Sequence, residues 1–403
     1  MALHIYADQI DEYKVSDMGE NGNFKAPGNS FFSKKNSFSY EENIIAFENG
    51  AAFDFFNGED WLQINNRGLI EFDPLQNLDS GDSYEVGADY FIYLCLSGSS
   101  PVIVVSKNST FPSGFNADNS RKIGGFHYGT IRKVVLDGDL WVPIDSNGVK
   151  FGASGTKWQD NVTLGIIPNS VWDLKNRPCI PFGGLIKVGS LWISIYENSA
   201  KSAISFMNGT NGLHVAGGAL QSKYGQLPVT GTEGCNQYNF NELARAAGMR
   251  LPFYAEWLAA AFGSPQGTDG DNNYGWTKTT NTGRTRTGCM VNPNSGVYDI
   301  SAGVKPYAIS AYNAVDCAGN VWEWLSDYSP RFDAGTGTWG YQDQLGAGMG
   351  KIYEWKTDGF SALIAGGHWN NGVGCGPRAV SLGNRPWDVD TIIGARLACD
   401  AAA

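Results

Sequence analysis

The chain has 403 residues, enough for two or three domains that each bury a core of their own. With 52 glycines, 13 tryptophans and only 17% charged residues, its composition indicates a β-rich, loop-rich protein and excludes a helical bundle. A formal net charge of −11 argues against nucleic acid and anionic membranes as partners, because the summed field would repel both. A protein or a small molecule is therefore the expected partner.

Neither an export signal nor a membrane-spanning segment is predicted. The residues from Met1 to Gln9 lack the basic and apolar regions of a secretory signal. No run of about 18 apolar residues occurs, so no insertion into a membrane is expected. We therefore expect the chain to be synthesised and folded in a cytoplasm.

The strand patterns divide the chain into three predicted domains. Residues 1–60 alternate short aromatic runs with Gly, Asn and Asp turns, which predicts a small all-β unit. Residues 61–165 carry longer strand patterns, such as Asp89–Leu96 and Pro101–Ser106, at the spacing typical of a β-sandwich. Residues 166–403 begin with a hairpin pattern at Leu185–Tyr196 and form the third domain.

The third domain contains the strong helical patterns of the chain. One spans Asn239–Ala247, with Asn239 as the expected N-cap and Gly248 as the C-terminal glycine. The other begins at Pro252 and ends at Gly263. Beyond it the sequence is rich in glycine, asparagine and aromatic residues. Together these patterns predict an α+β, mainly β fold.

Cysteine and histidine usage predicts neither a cofactor nor a metal. The cysteines are odd in number, widely spaced and free of CxxC pairs, so buried thiols are favoured over structural disulfides, which stay possible; they are Cys95, Cys179, Cys235, Cys289, Cys317, Cys375 and Cys399. The four histidines are isolated, which gives a zinc site no support. The Thr268–Asn273 loop has the oxygen-rich composition of a structural calcium site, but ordinary turn chemistry is favoured.

Several stretches resemble one branch of a known fold. Four of them are similar to the formylglycine-generating-enzyme branch of the C-type lectin fold: Arg250–Trp257, Gly319–Trp324, Gly366–Gly372 and Ile393–Arg396. That branch includes oxidases and the variable proteins of diversity-generating retroelements. Two further stretches resemble the major tropism determinants of phage tail-fibre tips: Ser120–Tyr128 and Ser170–Pro178. The resemblance runs from about Ala88 to Asp400, and it implies a β-prism, a β-sandwich and a C-type lectin domain assembled as a trimer. The N-terminal unit matches the β-prism only by position and β-rich character.

Segment 366–396 interleaves two groups of residues. One group has the character of a fixed scaffold: Gly366, Gly367, Trp369, Leu382, Pro386, Gly394 and Arg396. The other shares no size, charge or polarity and is predicted to bind the ligand: His368, Asn370, Val373, Gly374, Ser381, Gly383, Asn384, Asp388, Asp390 and Ile392. The resemblance implies that such positions correspond to Asn codons with randomised adenines, and every residue of the second group can arise in that way. An ordinary loop surface is the alternative.

Three competing sites receive less support. A thiol oxidase of the formylglycine-generating type needs two cysteines a few residues apart, whereas Cys375 has no such neighbour and is expected to be a small packed residue. Trp322–Trp324 and Arg396 are interpreted as core and scaffold rather than as a sugar platform. Trp369–Asn371 and Asn384–Pro386 have only part of the oxygen-ligand pattern of a calcium-dependent lectin.

The predicted function is host-cell attachment by a phage or prophage tail-fibre receptor-binding protein, not catalysis. Its expected partners are a host-cell surface receptor, of protein nature, the rest of the tail fibre and two further copies of the chain. Its expected location is the virion tail fibre. A formylglycine-generating-type oxidase and a diversified bacterial surface protein are the alternatives.

Overall fold

The computed structural model describes most of the chain from residue 74 onward. The described residues are 74, 76–98, 100–137, 140–144, 147–150, 162–173, 177–178, 183–264, 283–288, 308–331, 340–342, 352–354 and 359–400, with short strands at 2–4, 12–14, 45–47, 52–56, 61–65 and 70–72. Beyond the strands within it, the predicted unit at 1–60 lies outside the described residues, as do Cys179, Cys289 and the Thr268–Asn273 loop.

Six short strands are described before residue 74. They are β1 (Ala2–His4), β2 (Glu12–Lys14), β3 (Ile45–Phe47), β4 (Ala52–Phe56), β5 (Trp61–Asn65) and β6 (Ile70–Phe72). They pair antiparallel as β1 with β2, β3 with β6 and β4 with β5. The β-rich character predicted for this part of the chain is present in these strands.

The next part of the chain forms a five-stranded antiparallel sheet. Its strands and the hairpin beside it are β7 (Ala88–Ser97), β8 (Ser100–Ser106), β9 (Ser120–Arg132), β10 (Val134–Asp137), β11 (Leu140–Pro143), β12 (Val162–Ile166) and β13 (Trp172–Asp173). The order is β12-β9-β7-β8 with β13 also on β9, while β10 and β11 form the hairpin. The apolar runs at 89–96 and 101–106 are strands as predicted, because their side chains fill the core of this sheet.

Glycines inside β9 permit a close approach between this sheet and its neighbours. A Cβ on Gly125 would lie 2.6 Å from Nε1 of Trp172, and one on Gly129 would lie 3.2 Å from the Tyr196 hydroxyl. A glycine in a strand interior usually marks such an approach. The aromatic ring of Trp172 thus lies directly on the strand backbone.

Three sheets are described in the C-terminal part of the chain. Its strands are β14 (Leu185–Val188), β15 (Leu191–Ser194), β16 (Asn198–Phe206), β17 (Val215–Ser222), β18 (Trp322–Arg331), β19 (Gly340–Gln342), β20 (Ile352–Glu354), β21 (Gly359–Gly366), β22 (Gly376–Ser381), β23 (Ile393–Gly394) and β24 (Ala398–Asp400). The sheets have the orders β14-β15-β24, β16-β17 and β19-β20-β22-β21-β18-β23. The hairpin predicted at 185–196 is β14–β15, and its second strand pairs with β24.

Two α-helices are found among the described residues, close to the predicted positions. Helix α1 spans Gln237–Ala246, and its N-cap is Asn236 rather than the predicted Asn239. Asn239 instead lies at the third helical position, where its side chain accepts from the Asn236 N–H and completes a capping box. Helix α2 spans Tyr254–Ala261 and leaves Pro252 outside. Gly248 and Gly263 follow the helices with φ of 73° and 81°, as expected for C-terminal glycines. Neither described helix is long and apolar enough to cross a membrane.

Each helix packs its apolar face into one of two adjoining cores. Phe240, Leu243 and Ala244 of α1 contact a cluster that includes Trp192 and Trp324. Trp257, Ala260 and Ala261 of α2 contact a second cluster that also contains Ile131 and Ile167 from the upstream part of the chain. The upstream and C-terminal parts therefore share a hydrophobic core.

A buried polar seam also joins the upstream sheet to the C-terminal part. Nδ1 of His127 lies 2.7 Å from Oδ1 of Asp89, and its Nε2 lies 3.1 Å from the Tyr196 hydroxyl. Further along β9, Arg132 is fully buried and donates from Nε to the Ile309 carbonyl at 2.8 Å, while its backbone N–H donates to Oδ1 of Asn313. Burial lowers the pKa of Arg132 to about 9.

Candidate functional site

Segment 366–396 leaves the six-stranded sheet through a glycine turn. Gly366 and Gly367 have φ of 94° and 90°, a region that only glycine enters readily. A Cβ on Gly367 would also lie 2.6 Å from Sγ of Cys375. The turn is therefore fixed by its backbone, and the scaffold role predicted for both glycines agrees with this geometry.

The loop between β22 and β23 is held by its backbone carbonyls. Carbonyl oxygens of four loop residues accept hydrogen bonds of 2.9–3.1 Å from N–H groups elsewhere in the domain. The donor and acceptor pairs are Ala362 with Asn384, Gln237 with Pro386, Gly231 with Asp390, and Trp322 with Ile392. Backbone carbonyls are present whatever the side chain, so these four anchors survive a change of residue in the loop.

The positions predicted to bind ligand differ in exposure. Asn370 is exposed, whereas His368, Gly383, Asn384, Asp388, Asp390 and Ile392 are half-buried. Gly374 is buried, and the side chain of Val373 lies outside the described residues.

The expected exposure of Ser381 is wrong, because only 2% of this residue is accessible. Ser381 ends β22 and pairs with Ile364. Ile392 also packs against a hydrophobic core. Among the scaffold positions, Gly394, Pro386 and Arg396 are buried, but Trp369 and Leu382 are only half-buried.

Some of the predicted variable side chains stabilise the loop themselves. Oδ2 of Asp388 accepts from the Arg385 N–H at 2.8 Å, and Oδ1 of Asp390 accepts from the Ile392 N–H at 3.1 Å. Oγ of Ser381 accepts from the Gly383 N–H at 3.2 Å. Such local bonds are typical of Asp and Ser in turns, and their loss carries a modest cost.

His368 sits edge-on against Trp369. The ring centroids are 5.1 Å apart at 87°. Its Nδ1 is buried and has no hydrogen-bond partner in the part of the chain that the structure describes. Burial lowers the pKa of His368 to about 4, so the ring is neutral near pH 7.

Two apolar side chains in the same segment were not singled out from the sequence. Trp387 is 49% exposed and Val389 is 40% exposed, and the Arg385 guanidinium lies 6.0 Å from the Trp387 ring centroid. They alternate with Asp388 and Asp390, two positions predicted to vary. A tryptophan between a proline and an aspartate in a turn-rich segment is the signal that could have identified this exposed ring.

Beneath the segment, Arg396 organises a buried polar network. It is fully buried and donates to both carboxylate oxygens of Glu323 at 3.1 Å, and to the carbonyls of Ser194, Ile195 and Val315. Glu323 also accepts from Nε1 of Trp257 at 2.8 Å. This environment is consistent with the scaffold role predicted for Arg396. The core interpretation of Trp322 and Trp324 is confirmed, because these residues are 3% and 0% exposed.

Two further buried carboxyl groups lie near Arg396. Desolvation, with the neighbouring acidic groups, raises the pKa of Glu197 well above its usual range, and desolvation raises that of Asp316 to about 7. Oδ2 of Asp316 accepts from the Gly288 N–H at 2.7 Å, while its Oδ1 has no partner among the described residues.

The Asp316 environment predicts a pH dependence of stability. Between about pH 4 and pH 7 the unfolded chain has lost this proton while the folded chain retains it, so the free energy of unfolding falls as pH rises through this window. We expect Asp316→Asn to remove part of that decline, with the largest gain over the parent near pH 8. Urea unfolding at several pH values measures it, with the exposed Asp118→Asn as control. Parallel curves for the parent and Asp316→Asn would contradict the prediction.

The cysteines have the environment of structural residues. The five that the structure describes, Cys95, Cys235, Cys317, Cys375 and Cys399, are all buried thiols. Burial raises the pKa of the Cys375 thiol far above its usual range. Its Sγ contacts the His368 carbonyl at 3.3 Å, which places it under the 366–369 turn as predicted. Within the described ranges, no group of three or more His, Cys, Asp or Glu side chains is arranged to hold a metal.

Comparison with known proteins accounts for both parts of the chain. Residues 184–401 match the sulfatase-modifying factor enzyme 1-like domain. The chain belongs to this family. Residues 67–173 match the family described as the Mtd (major tropism determinant) second domain. The two matches agree with the resemblances to the formylglycine-generating-enzyme branch and to the tropism determinants.

One curated relative is a phage protein. The tail fiber receptor-binding protein of Bordetella phage BPP-1 is 28% identical over 319 residues, which cover 78% of this chain and 71% of that protein. Two solved structures of the Major Tropism Determinant, the I1 and U1 variants, have TM-scores of 0.60 and 0.59 at 22% identity, covering 93% and 92% of this chain and 86% and 85% of theirs. The predicted mainly β, C-type lectin-like fold and the resemblance to tropism determinants are confirmed.

Proposed function

We propose that this chain is a phage tail-fibre receptor-binding protein that attaches the virion to a host cell through segment 366–396. The observation that carries the proposal is the set of four carbonyl anchors, which hold the loop whatever side chains it bears. The similarity to a tail fiber receptor-binding protein supports the same function. Recognition then depends on the projecting side chains and stability on the scaffold.

Catalysis by a thiol is not part of the proposed function. The oxidase alternative requires a reactive thiolate, and Cys375 is fully buried with a pKa raised by desolvation. Cys399 lies on β24, which pairs with β15 and not with the segment. A family match to an enzyme-like domain describes the fold, while function depends on the site that the fold carries.

The proposal includes a protein receptor, a trimeric assembly and a position at the tail-fibre tip. A single loop offers a modest contact area, and three copies on one axis multiply weak contacts into avidity. We expect sedimentation of the full chain to give the mass of a homotrimer at micromolar concentration. A stable monomer of 43.6 kDa would contradict this assembly.

Substitution of three positions predicted to bind the ligand tests the recognition surface. We expect the triple variant His368→Asn, Asn370→His and Asn384→His to abolish or redirect adsorption to cells that the parent binds. Its free energy of unfolding should change by about 1 kcal/mol or less, because Asn370 is exposed and His368 and Asn384 are only half-buried. Adsorption assays and thermal melts measure the two effects.

Two controls sharpen this test. Lys201→Asn with Ser202→His alters exposed positions of β16 and should leave adsorption unchanged. Ser381→Asp places a charge at a buried position and should lower the melting temperature strongly. If the triple variant unfolds, or adsorbs as well as the parent, the segment is not the recognition surface.

A further inference from the structure

A cleft opens between α1 and β18, on side chains outside segment 366–396. It has a volume of about 480 Å³. One face of α1 forms one wall, Ser326 and Tyr328 of β18 form the other, and His214 lies at the end next to β17. None of the lining residues belongs to the positions predicted to vary.

The α1 wall combines aromatic and polar side chains. Tyr238, Asn241, Glu242 and Arg245 follow the i, i+3, i+4, i+7 spacing that places side chains on one face of a helix. Phe240, Leu243 and Ala244 point the other way into the core. The cleft face of α1 is therefore held in place by packing on its opposite side.

Exposed aromatic rings lie on both walls. Tyr238 is 43% exposed and Tyr328 is 41% exposed. The Tyr328 ring stacks on Phe360, with centroids 4.9 Å apart at 14°, and its hydroxyl donates to Oε1 of Gln237 at 2.9 Å. Tyrosine presents an apolar face together with a polar tip. Such rings suit a ligand that has an apolar C–H face and a rim of hydroxyl groups.

The acidic and basic side chains of the cleft differ in their partners. Oε1 of Glu242 is hydrogen-bonded to Nδ1 of His214, and its Oε2 accepts from the Val215 N–H at 2.8 Å. Burial raises the pKa of Glu242, but the bonds from His214 and Val215 outweigh it and the pKa lies below its usual range. Arg245 is exposed, and no residue in the described part of the chain pairs with it. The Arg245 guanidinium is therefore available to a ligand, because Glu242, the acidic residue nearest to it along the helix, is already bonded to His214 and to the Val215 N–H.

We propose that this cleft binds an acidic saccharide, a pyranose ring that carries a carboxylate. The sugar ring stacks on the exposed tyrosines, its carboxylate pairs with Arg245, and its hydroxyls bond to Asn241 and Ser326. A planar guanidinium matches a carboxylate with two parallel hydrogen bonds. The site would give a constant contact with cell-surface sugar, in addition to the variable contact proposed for segment 366–396.

Small glycosides test the proposal without cells or a receptor. The full chain is titrated with methyl β-D-glucuronide, with methyl β-D-glucoside, which lacks only the carboxylate, and with sodium acetate, which lacks the ring. Ligand-observed NMR follows binding. We expect a millimolar dissociation constant for the glucuronide, about tenfold weaker binding of the glucoside, and no competition by acetate. A solvent-screened pair of a guanidinium with a carboxylate is worth about a factor of ten or less.

Variants locate the binding site. Arg245→Gln and Tyr238→Ala should each weaken glucuronide binding by about tenfold with unchanged thermal melts, because both side chains are exposed. Arg286→Gln and Phe253→Ala alter an exposed arginine and an exposed aromatic ring outside the cleft and should not affect binding. Absence of glucuronide binding up to about 50 mM, equal binding of glucoside or acetate, or insensitivity to both cleft variants would overturn the proposal.

Discussion

Replacing Arg396 with methionine is expected to destabilise the C-terminal domain by about 3–5 kcal/mol. The change leaves the Glu323 carboxylate, which is 1% exposed, with only the Trp257 N–H as a side-chain donor. It also removes the Arg396 donors from the carbonyls of Ser194 and Val315, while the Ile195 carbonyl keeps its bond from the Val315 N–H. An unpaired buried charge and unsatisfied buried carbonyls are among the most costly defects in a protein core. Urea unfolding monitored by tryptophan fluorescence measures the loss.

A half-buried pair of the same chemistry provides the control. Arg250 makes two 2.7 Å bonds to Glu256, but its side chain is 33% accessible. Arg250→Met should therefore cost about 1 kcal/mol or less. Equal losses of unfolding free energy for the two variants would show that burial does not determine how much the Arg396 network stabilises the domain. Should Arg396→Met be insoluble while Arg250→Met folds, the expected ranking holds.

Replacing Gly231 with alanine is expected to displace the segment and abolish cell adsorption. A Cβ at this position would lie 2.5 Å from the backbone N and C atoms of Asp390, which is shorter than any tolerated contact. The 2.9 Å bond from the Gly231 N–H to the Asp390 carbonyl must break or shift to relieve the clash. Overpacking of this kind costs about 1–3 kcal/mol. Thermal melts and adsorption assays measure the two consequences.

Gly283→Ala is the matched control, since a Cβ there meets no atom within 4 Å. It should leave stability and adsorption unchanged. Normal adsorption by Gly231→Ala would show that the position of the Asp390 backbone has no influence on recognition.

Local sequence rules predicted the positions of the helices and hairpins and the glycines that end the helices, but they did not identify the residue that caps α1. The glycines at 248 and 263 end the helices because a left-handed residue is needed there, which is a local requirement. The N-cap of α1 was placed three residues late because both Asn236 and Asn239 can cap. Only the observed backbone shows that the two side chains bond reciprocally.

Burial within segment 366–396 was predicted for some residues and not for others. Glycines and Arg396 could be assigned to the scaffold because their chemistry restricts them to few environments. Exposure could not be predicted for Ser381, since a small polar residue at the end of a strand suits either face. Trp387 was missed because tryptophan usually indicates core, whereas here a turn projects it outward.

Ile131 and Ile167 pack in one hydrophobic core with α2, so part of the interior of the C-terminal domain comes from residues upstream of it. A polypeptide beginning at residue 184 would contain the whole sulfatase-modifying factor-like match, yet it would lack these two side chains. It would also lack His127, the partner of the Tyr196 hydroxyl, and Asp89, which bonds to the other ring nitrogen of His127. The bonds from Arg132 to Ile309 and Asn313 would be lost as well. The bounds of the family match and of this hydrophobic core therefore differ in this chain. The lectin-like domain completes its interior only with the sheet that precedes it.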